Sequence, residues 1–192
     1  MISAILLAAG QSKRMNGENK LVKKFRGNPL IKHSVENILN SSIDELIVVL
    51  GYQKEIIEKI IGKNNKIKLV FNKNFKNGMS SSIKTGLNFL SKESQGFFVC
   101  LGDMPLVNFN IYNQLIKYQK KNNIVIPTYN GEQRNPVLFS ISMKEKIMHV
   151  DGDLGAKKIL EFNNDKLLNV EIDDLNFFKD FNTVKNFNLE NI

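Results

Sequence analysis

One cysteine, Cys100, stands in the 192 residues, so no disulfide can close within the chain and the disulfide-stapled scaffolds of small secreted domains are excluded. Because it lies in the apolar run Phe97 to Leu101, Cys100 reads as a buried core thiol. No apolar stretch approaches the roughly 20 residues that span a bilayer. Met1 leads directly into a strand-like run, with no basic n-region before it and no small-residue cleavage site after it. The expectation is a cytoplasmic protein without a membrane partner. Pro/Gly/Ser-rich linkers and internal repeats are missing as well, so residues 1–192 read as one domain, long enough to bury several strands and helices. The two histidines, His33 and His149, have no set of ligands around them and are assigned no function.

Positive charge, in contrast, is abundant. Lys and Arg number 27 against 19 Asp and Glu, a net charge of +8, which invites a nucleic-acid partner. The distribution argues against one. Lysines are scattered along the chain, often beside asparagines, with no uninterrupted basic block, RNP-type aromatic motif or zinc-finger spacing. No nucleic-acid partner is therefore expected, and the basic surface suits a small polyanionic ligand.

Short apolar runs alternate with stretches of helical period. The runs are Ile2 to Leu7, Leu46 to Leu50, Ile67 to Phe71, Phe97 to Leu101, Ile124 to Pro127, Val137 to Phe139 and Leu167 to Ile172. Their near-continuous apolar character predicts strands buried on both faces. Between them Leu30, Ile31, Val35, Ile38 and Leu39 recur at helical spacing, as do Ile56, Ile57, Ile60 and Ile61, then Ile83, Leu87 and Leu90, then Ile111, Leu115 and Tyr118. This βαβα order predicts an α/β domain with a mainly parallel sheet flanked by helices, and a ligand beyond the carboxyl ends of the strands.

The first strand runs into "LLAAGQSKRMNGENK", residues Leu6 to Lys20. Gly10 stands where the chain must turn, and glycine there permits positive φ and lets backbone N–H groups approach an anion. The loop is neither a Walker A sequence, since no Gly-Lys-Ser/Thr follows, nor a GxGxxG fingerprint. What remains is one glycine, an arginine (Arg14) able to fork two phosphate oxygens, and a lysine (Lys20) acting as a point charge. Those residues read as a triphosphate clamp or, more plainly, as a solvated basic turn.

"LLAAGQSKRM" followed by Asn19-Lys20-Leu21 resembles the signature of nucleotidyltransferases that join a nucleoside monophosphate from NTP to a phosphorylated acceptor. Within that superfamily the chain is most similar to the molybdenum cofactor cytidylyltransferase family. Further segments match in order: "FNKNFKNGMSSSIKTGL", "LGDMPLV", "NPVLF", "GDLGAKKIL" and the tail "KDFNTVKNF". The resemblance implies a single Rossmann-like domain of the nucleotide-diphospho-sugar transferase type. It further implies CMP transfer from CTP to the phosphate of Mo-molybdopterin, with magnesium as cofactor and a molybdenum hydroxylase as eventual recipient.

The same resemblance assigns site residues. Leu7, Ala8, Ala9 and Gly10 would contact the nucleotide through the main chain, with Arg14 and Lys20 on its phosphates. Asn72 and Ser82 would read base and ribose, although serines at such a place also cap helices. Asp103, at a strand end before Pro105, would hold magnesium, a hard cation preferring oxygen ligands, with Asp180 and Asn182 of the tail as further ligands. Asn135, Pro136, Asp153 and Gly155 would meet the acceptor. Two departures touch that side: the loop "NGEQRNPVLF" lacks a glycine just before the residue that precedes the proline, and "GAKK" carries lysine where arginine is common. Ala9 is the one residue pointing to CTP, the guanylyltransferase branch tending to read Leu-Ala-Gly-Gly. Alternatives are a same-fold enzyme using GTP or another phosphorylated acceptor, and a non-catalytic molybdenum cofactor chaperone.

Overall fold

The computed structural model describes residues 1–192 apart from 13, 14, 16, 17, 122, 150–159, 162, 180 and 182–192. In chain order the strands are β1 (Ile2–Ala8), β2 (Lys24–Phe25), β3 (Asn28–Pro29), β4 (Glu45–Leu50), β5 (Ile67–Phe71), β6 (Gly96–Leu101), β7 (Ile124–Tyr129), β8 (Glu132–Gln133), β9 (Val137–Ser140) and β10 (Leu167–Glu171). The helices are α1 (Leu30–Leu39), α2 (Lys54–Ile61), α3 (Met79–Leu87), α4 (Phe109–Ile116) and α5 (Lys144–Met148). Every predicted apolar run forms a strand. The main sheet has the order β10-β7-β9-β6-β1-β4-β5, with β8 pairing β7 at one end. Neighbours are parallel except around β9, which is antiparallel to both β6 and β7, and β8, which is antiparallel to β7.

Alternate residues of the strands feed two core layers. Leu6, Val48, Phe98 and Leu138 face Ile31, Val35 and Ile38 of α1, Ile57 of α2 and Leu115 of α4. Ile5, Ile47, Val99 and Phe139 face Ile83 and Leu87 of α3 and Ile147 of α5. Burial on both faces holds for β1, β4, β6, β7 and β9 but not for β5 and β10, which are partly exposed. These two lie at the sheet's edges, where Lys68, Asn169 and Glu171 interrupt the apolar run. Cys100 is buried as expected, and burial pushes its thiol up to about 12 despite a hydrogen bond with Tyr112. No helix among the described residues is long and apolar enough to cross a membrane.

Helix boundaries follow local chemistry. Asn108 caps α4 by accepting from Asn110 N (3.0 Å) and Ile111 N (3.3 Å) through its side chain, and α2 stops at Gly62 with φ of 71°. The β2–β3 hairpin turns on Arg26 and Gly27, with φ of 46° and 84°, the left-handed pair of a two-residue hairpin. At the amino edge of the sheet Glu45 is buried. Its carboxylate accepts from Ser3 Oγ (2.7 Å), Ser91 N (2.9 Å) and Lys68 Nζ (2.7 Å). The opposite, carboxyl edge gathers the loops that carry the candidate site.

Candidate active site

Three adjacent strands end the same way. Gly10 follows β1 by one residue, Gly51 directly follows β4, and Gly102 directly follows β6. Gly51 is needed for close approach: a Cβ there would lie 2.7 Å from Ala9 Cβ, Ala9 O and Phe75 Cβ. Gly102 is similarly constrained, a Cβ meeting Ile31 Cδ1 at 2.9 Å and Leu7 O at 3.0 Å. Gly10 differs from expectation. A Cβ there would meet nothing within 4 Å, and the left-handed conformation falls instead on Ser12, with φ of 52°. Gly51 and Gly102 were not among the expected residues, yet the repeated strand-glycine boundary in "LAAG", "VVLG" and "VCLG" marks them in the sequence.

Leu7 and Ala8 belong to the ladders with β4 and β6, and Leu7 O accepts the Gly102 N–H at 3.1 Å. Ala9 is buried, and its carbonyl accepts from Tyr52 N at 3.2 Å. Gly10 is the first exposed residue past the strand. The loop that follows is tied back on itself: Ser12 O accepts from Met15 N (2.8 Å), Ser12 Oγ accepts from Lys20 N (3.1 Å), and Met15 is buried in the core. Asn19 then caps a 3-10 turn over Lys20–Val22, its side chain accepting from Leu21 N at 3.1 Å.

This folding-back delivers Lys20 to Asp103. The ammonium and carboxylate form an ion pair in which the side chains are 19% and 12% exposed, joining the loop after β1 to the loop after β6. The position of Asp103 is fixed from both sides of the chain. Ser34 Oγ donates to Gly102 O (3.1 Å), Asn37 Nδ2 donates to Pro105 O (2.8 Å), and Phe181 N donates to Asp103 O (3.2 Å).

Asn72, just past β5, is buried. It accepts from Asn74 N (2.9 Å) and donates to Ser81 Oγ (2.8 Å) and Ser82 Oγ (3.0 Å), clamping the start of α3 to the end of the strand. The serines do not cap in the expected way. Gly78, with φ of 94°, occupies the N-cap of α3 with no side-chain hydrogen bond, and Ser81 Oγ donates back to Gly78 O at 2.8 Å. A helix N-terminus at this edge still points backbone N–H groups outward.

On the far side of β6, Asn135 is half-buried and Pro136 buried, joined by a cis peptide. They precede Val137, which pairs with Val99. The hairpin ahead of them is held by Glu171, whose carboxylate accepts from Thr128 Oγ1 and Asn130 N, each at 2.5 Å. Those bonds pull the Glu171 carboxyl below its usual value.

Thus Leu7, Ala8, Ala9, Gly10, Lys20, Asn72, Ser82, Asp103, Asn135 and Pro136 share one edge of the sheet. Arg14, Asp153, Gly155, Asp180 and Asn182 lie outside the described residues. Neither histidine joins the group: His33 Nε2 is 2.7 Å from Phe25 O, and His149 Nδ1 is 2.7 Å from Glu145 O. An open cleft of about 570 Å³ between the β2–β3 hairpin and the segment after Asp103, lined by Phe25, His33 and Leu106, contains none of these candidates. Among the described residues no three His, Cys, Asp or Glu side chains cluster as a metal site. Asp103 offers one carboxylate of the kind that holds magnesium alongside substrate phosphates, and in this structure that carboxylate is paired with the Lys20 ammonium.

A mainly parallel sheet with a lysine and a carboxylate converging beyond its carboxyl edge makes an α/β domain with a charged ligand-binding edge. The MobA-like NTP transferase domain family matches residues 4–169, and the chain belongs to it. A probable molybdenum cofactor guanylyltransferase of Natranaerobius thermophilus is 30% identical over 85% of this chain and 82% of its own length. The bifunctional protein GlmU of Thermosipho africanus is 28% identical over 84% of this chain, which spans only 36% of that relative. A solved nucleotidyl transferase of Methanothermobacter thermautotrophicus shares the fold with a TM-score of 0.87, 19% identity, and coverage of 100% of this chain and 96% of the other.

Proposed function

We propose that the enzyme transfers CMP from CTP to the phosphate of Mo-molybdopterin, releasing pyrophosphate. The observation that carries this reading is the Lys20–Asp103 pair, which brings the loop after β1 against the loop after β6 at the edge where such sheets bind ligands. An acceptor phosphate oxygen attacks the α-phosphorus in line. A new P–O bond forms, the bond from the α-phosphorus to the bridging oxygen breaks, and its electron pair leaves with pyrophosphate. Lys20 stabilises the charge developing on the α-phosphate, and Arg14 binds the departing pyrophosphate.

Asp103 would hold magnesium, with Asp180 and Asn182 as the further candidates. When bound, the ion neutralises phosphate charge and orients the leaving group. Leu7, Ala8, Ala9 and Gly10 contact the nucleotide, Asn72 and Ser82 face its base and ribose, and Asn135, Pro136, Asp153 and Gly155 receive the acceptor. No protein nucleophile is needed, since positioning and electrostatics supply the catalysis. The fuller setting is a cytoplasmic enzyme that hands its product to a molybdenum hydroxylase.

CTP rests on Ala9. The guanylyltransferase relative favours a second reading in which the same chemistry uses GTP. Magnesium-dependent pyrophosphate release with Mo-molybdopterin, compared across CTP, GTP, ATP and UTP, decides between them. Release with CTP alone supports the proposal, release with GTP favours the second reading, and silence with all four overturns both.

A further inference from the structure

Among the described residues two buried side-chain nitrogens lack a hydrogen-bond partner, Asn19 Nδ2 and Arg134 Nε. Folded proteins leave few such donors, and each calls for an explanation such as a ligand. They fall in different loops, Asn19 directly before Lys20 and Arg134 directly before Asn135. Asn19 already has a structural task as the cap of a 3-10 turn. Among the described residues the charged partner of the Arg134 side chain is Glu132, at 2.5 Å from Nη2.

The backbone of Arg134 is fixed beside β7, in the loop that leads into β9. Its N–H donates to Pro127 O at 2.8 Å, continuing the β7–β8 pairing, and Arg134 directly precedes Asn135 and Pro136, which lead into β9 beside β6. A guanidinium presents five N–H donors in a planar fork matched to phosphate or carboxylate. Nη2 is occupied by Glu132, but that carboxylate belongs to a side chain 72% exposed, and such pairs contribute little. Nε, in contrast, is desolvated and bonds nothing.

We infer that Arg134 recognises an anionic oxygen group on the acceptor, a phosphate, and so sets which acceptors the enzyme takes. The inference rests on the reading of this loop as the acceptor's. Glu132 is its internal competitor: an acceptor carrying negative charge displaces the Glu132 carboxylate from the fork, whereas a neutral one leaves the pair closed. Position 134 is also where the loop departs from the pattern it resembles, so this contact is particular to the chain's own sequence.

The test compares wild type, R134Q, R134K and E132Q in two measurements. In turnover at saturating nucleotide, R134Q is expected to raise the acceptor KM by about tenfold or more, the worth of a lost charge-assisted hydrogen bond, with the nucleotide KM unchanged. R134K recovers part of the loss, and E132Q lowers the acceptor KM. In the second measurement inorganic phosphate is titrated against protein pre-loaded with nucleotide, and the rise in melting temperature is followed. Wild type is expected to be stabilised, and R134Q to lose most of that rise.

Equal phosphate shifts in wild type and R134Q overturn the inference, as does an R134Q variant whose melting temperature falls while its acceptor KM stays put. Silence in turnover alone counts against the proposed reaction and leaves Arg134 to be judged by the phosphate titration, which requires no catalysis.

Discussion

At the scale of single residues the Lys20–Asp103 pair concentrates the chemistry. Lys20→Ala is expected to lower kcat by on the order of 10²–10³-fold, as loss of one preorganised electrostatic contact does elsewhere, read as pyrophosphate release. The same change leaves a largely buried carboxylate without its cation, so melting temperature is expected to fall as well. Asp103→Asn, which removes the charge that Lys20 neutralises while keeping the side chain's size, is expected to lower kcat as well, since Asp103 is the proposed magnesium ligand. Ala9 supplies the second residue-scale prediction. Its methyl group faces Gly51, where an added Cβ would lie 2.7 Å from it, and Ala9→Gly opens that space. The expected outcome is a shift of about tenfold in relative kcat/KM from CTP toward GTP, the scale of discrimination that one methyl group gives. An unchanged ratio would show that base choice resides elsewhere.

At the scale of elements the site depends on how closely loops pack at the ends of β1, β4 and β6. Gly51→Ala forces a Cβ to within 2.7 Å of Ala9 and is expected to cost about 1–3 kcal/mol of stability. A urea melt gives that figure, and the nucleotide KM should rise in parallel because Ala9 must move. What the sequence reveals at this scale is uneven. The runs that become β1, β4, β6 and β7 are legible because strands buried on both faces need unbroken apolar residues. The direction of β9 is not, because Val137 to Ser140 reads the same whichever neighbour it pairs with. Gly10 is a glycine the turn does not use for positive φ, whereas Ser12 adopts that conformation without any local signal. Asn72 and the serines of α3 are legible as a group, but their mutual hydrogen bonds depend on the strand and helix meeting in space. Lys20 and Asp103 stand 83 residues apart, and nothing in their spacing announces the ion pair; each is marked only by the motif around it.

At the scale of the whole molecule, stability and chemistry occupy opposite edges of one sheet. Glu45, at the amino edge, is pushed up by burial, but hydrogen bonds from Lys68, Ser3 and the Ser91 N–H outweigh that and hold its carboxyl below the usual glutamate range. A carboxyl depressed on folding contributes stability that is present above its unfolded value and is lost as pH falls through the folded one. Wild type is therefore expected to lose stability below about pH 4.5, and Glu45→Gln to flatten that part of the profile while lowering stability near neutrality. Urea melts across pH 3 to 7 measure both. The charge of +8 acts at this scale too, as a long-range attraction for polyanionic ligands that salt screens.

The reversed strand β9 has an engineering consequence. It is wedged between two strands of opposite direction, so the loop carrying Arg134 to Pro136 enters the sheet where every neighbouring loop leaves it. Two anchors of that loop, the Arg134 N–H on Pro127 and Val137 on Val99, are main-chain pairings, and Pro136 between them, which follows a cis peptide, is kept. On the proposed reading of this loop as the acceptor's, residues 130–135 form a cassette: a segment of different sequence grafted there is expected to change acceptor preference while the nucleotide half of the enzyme stays as it is.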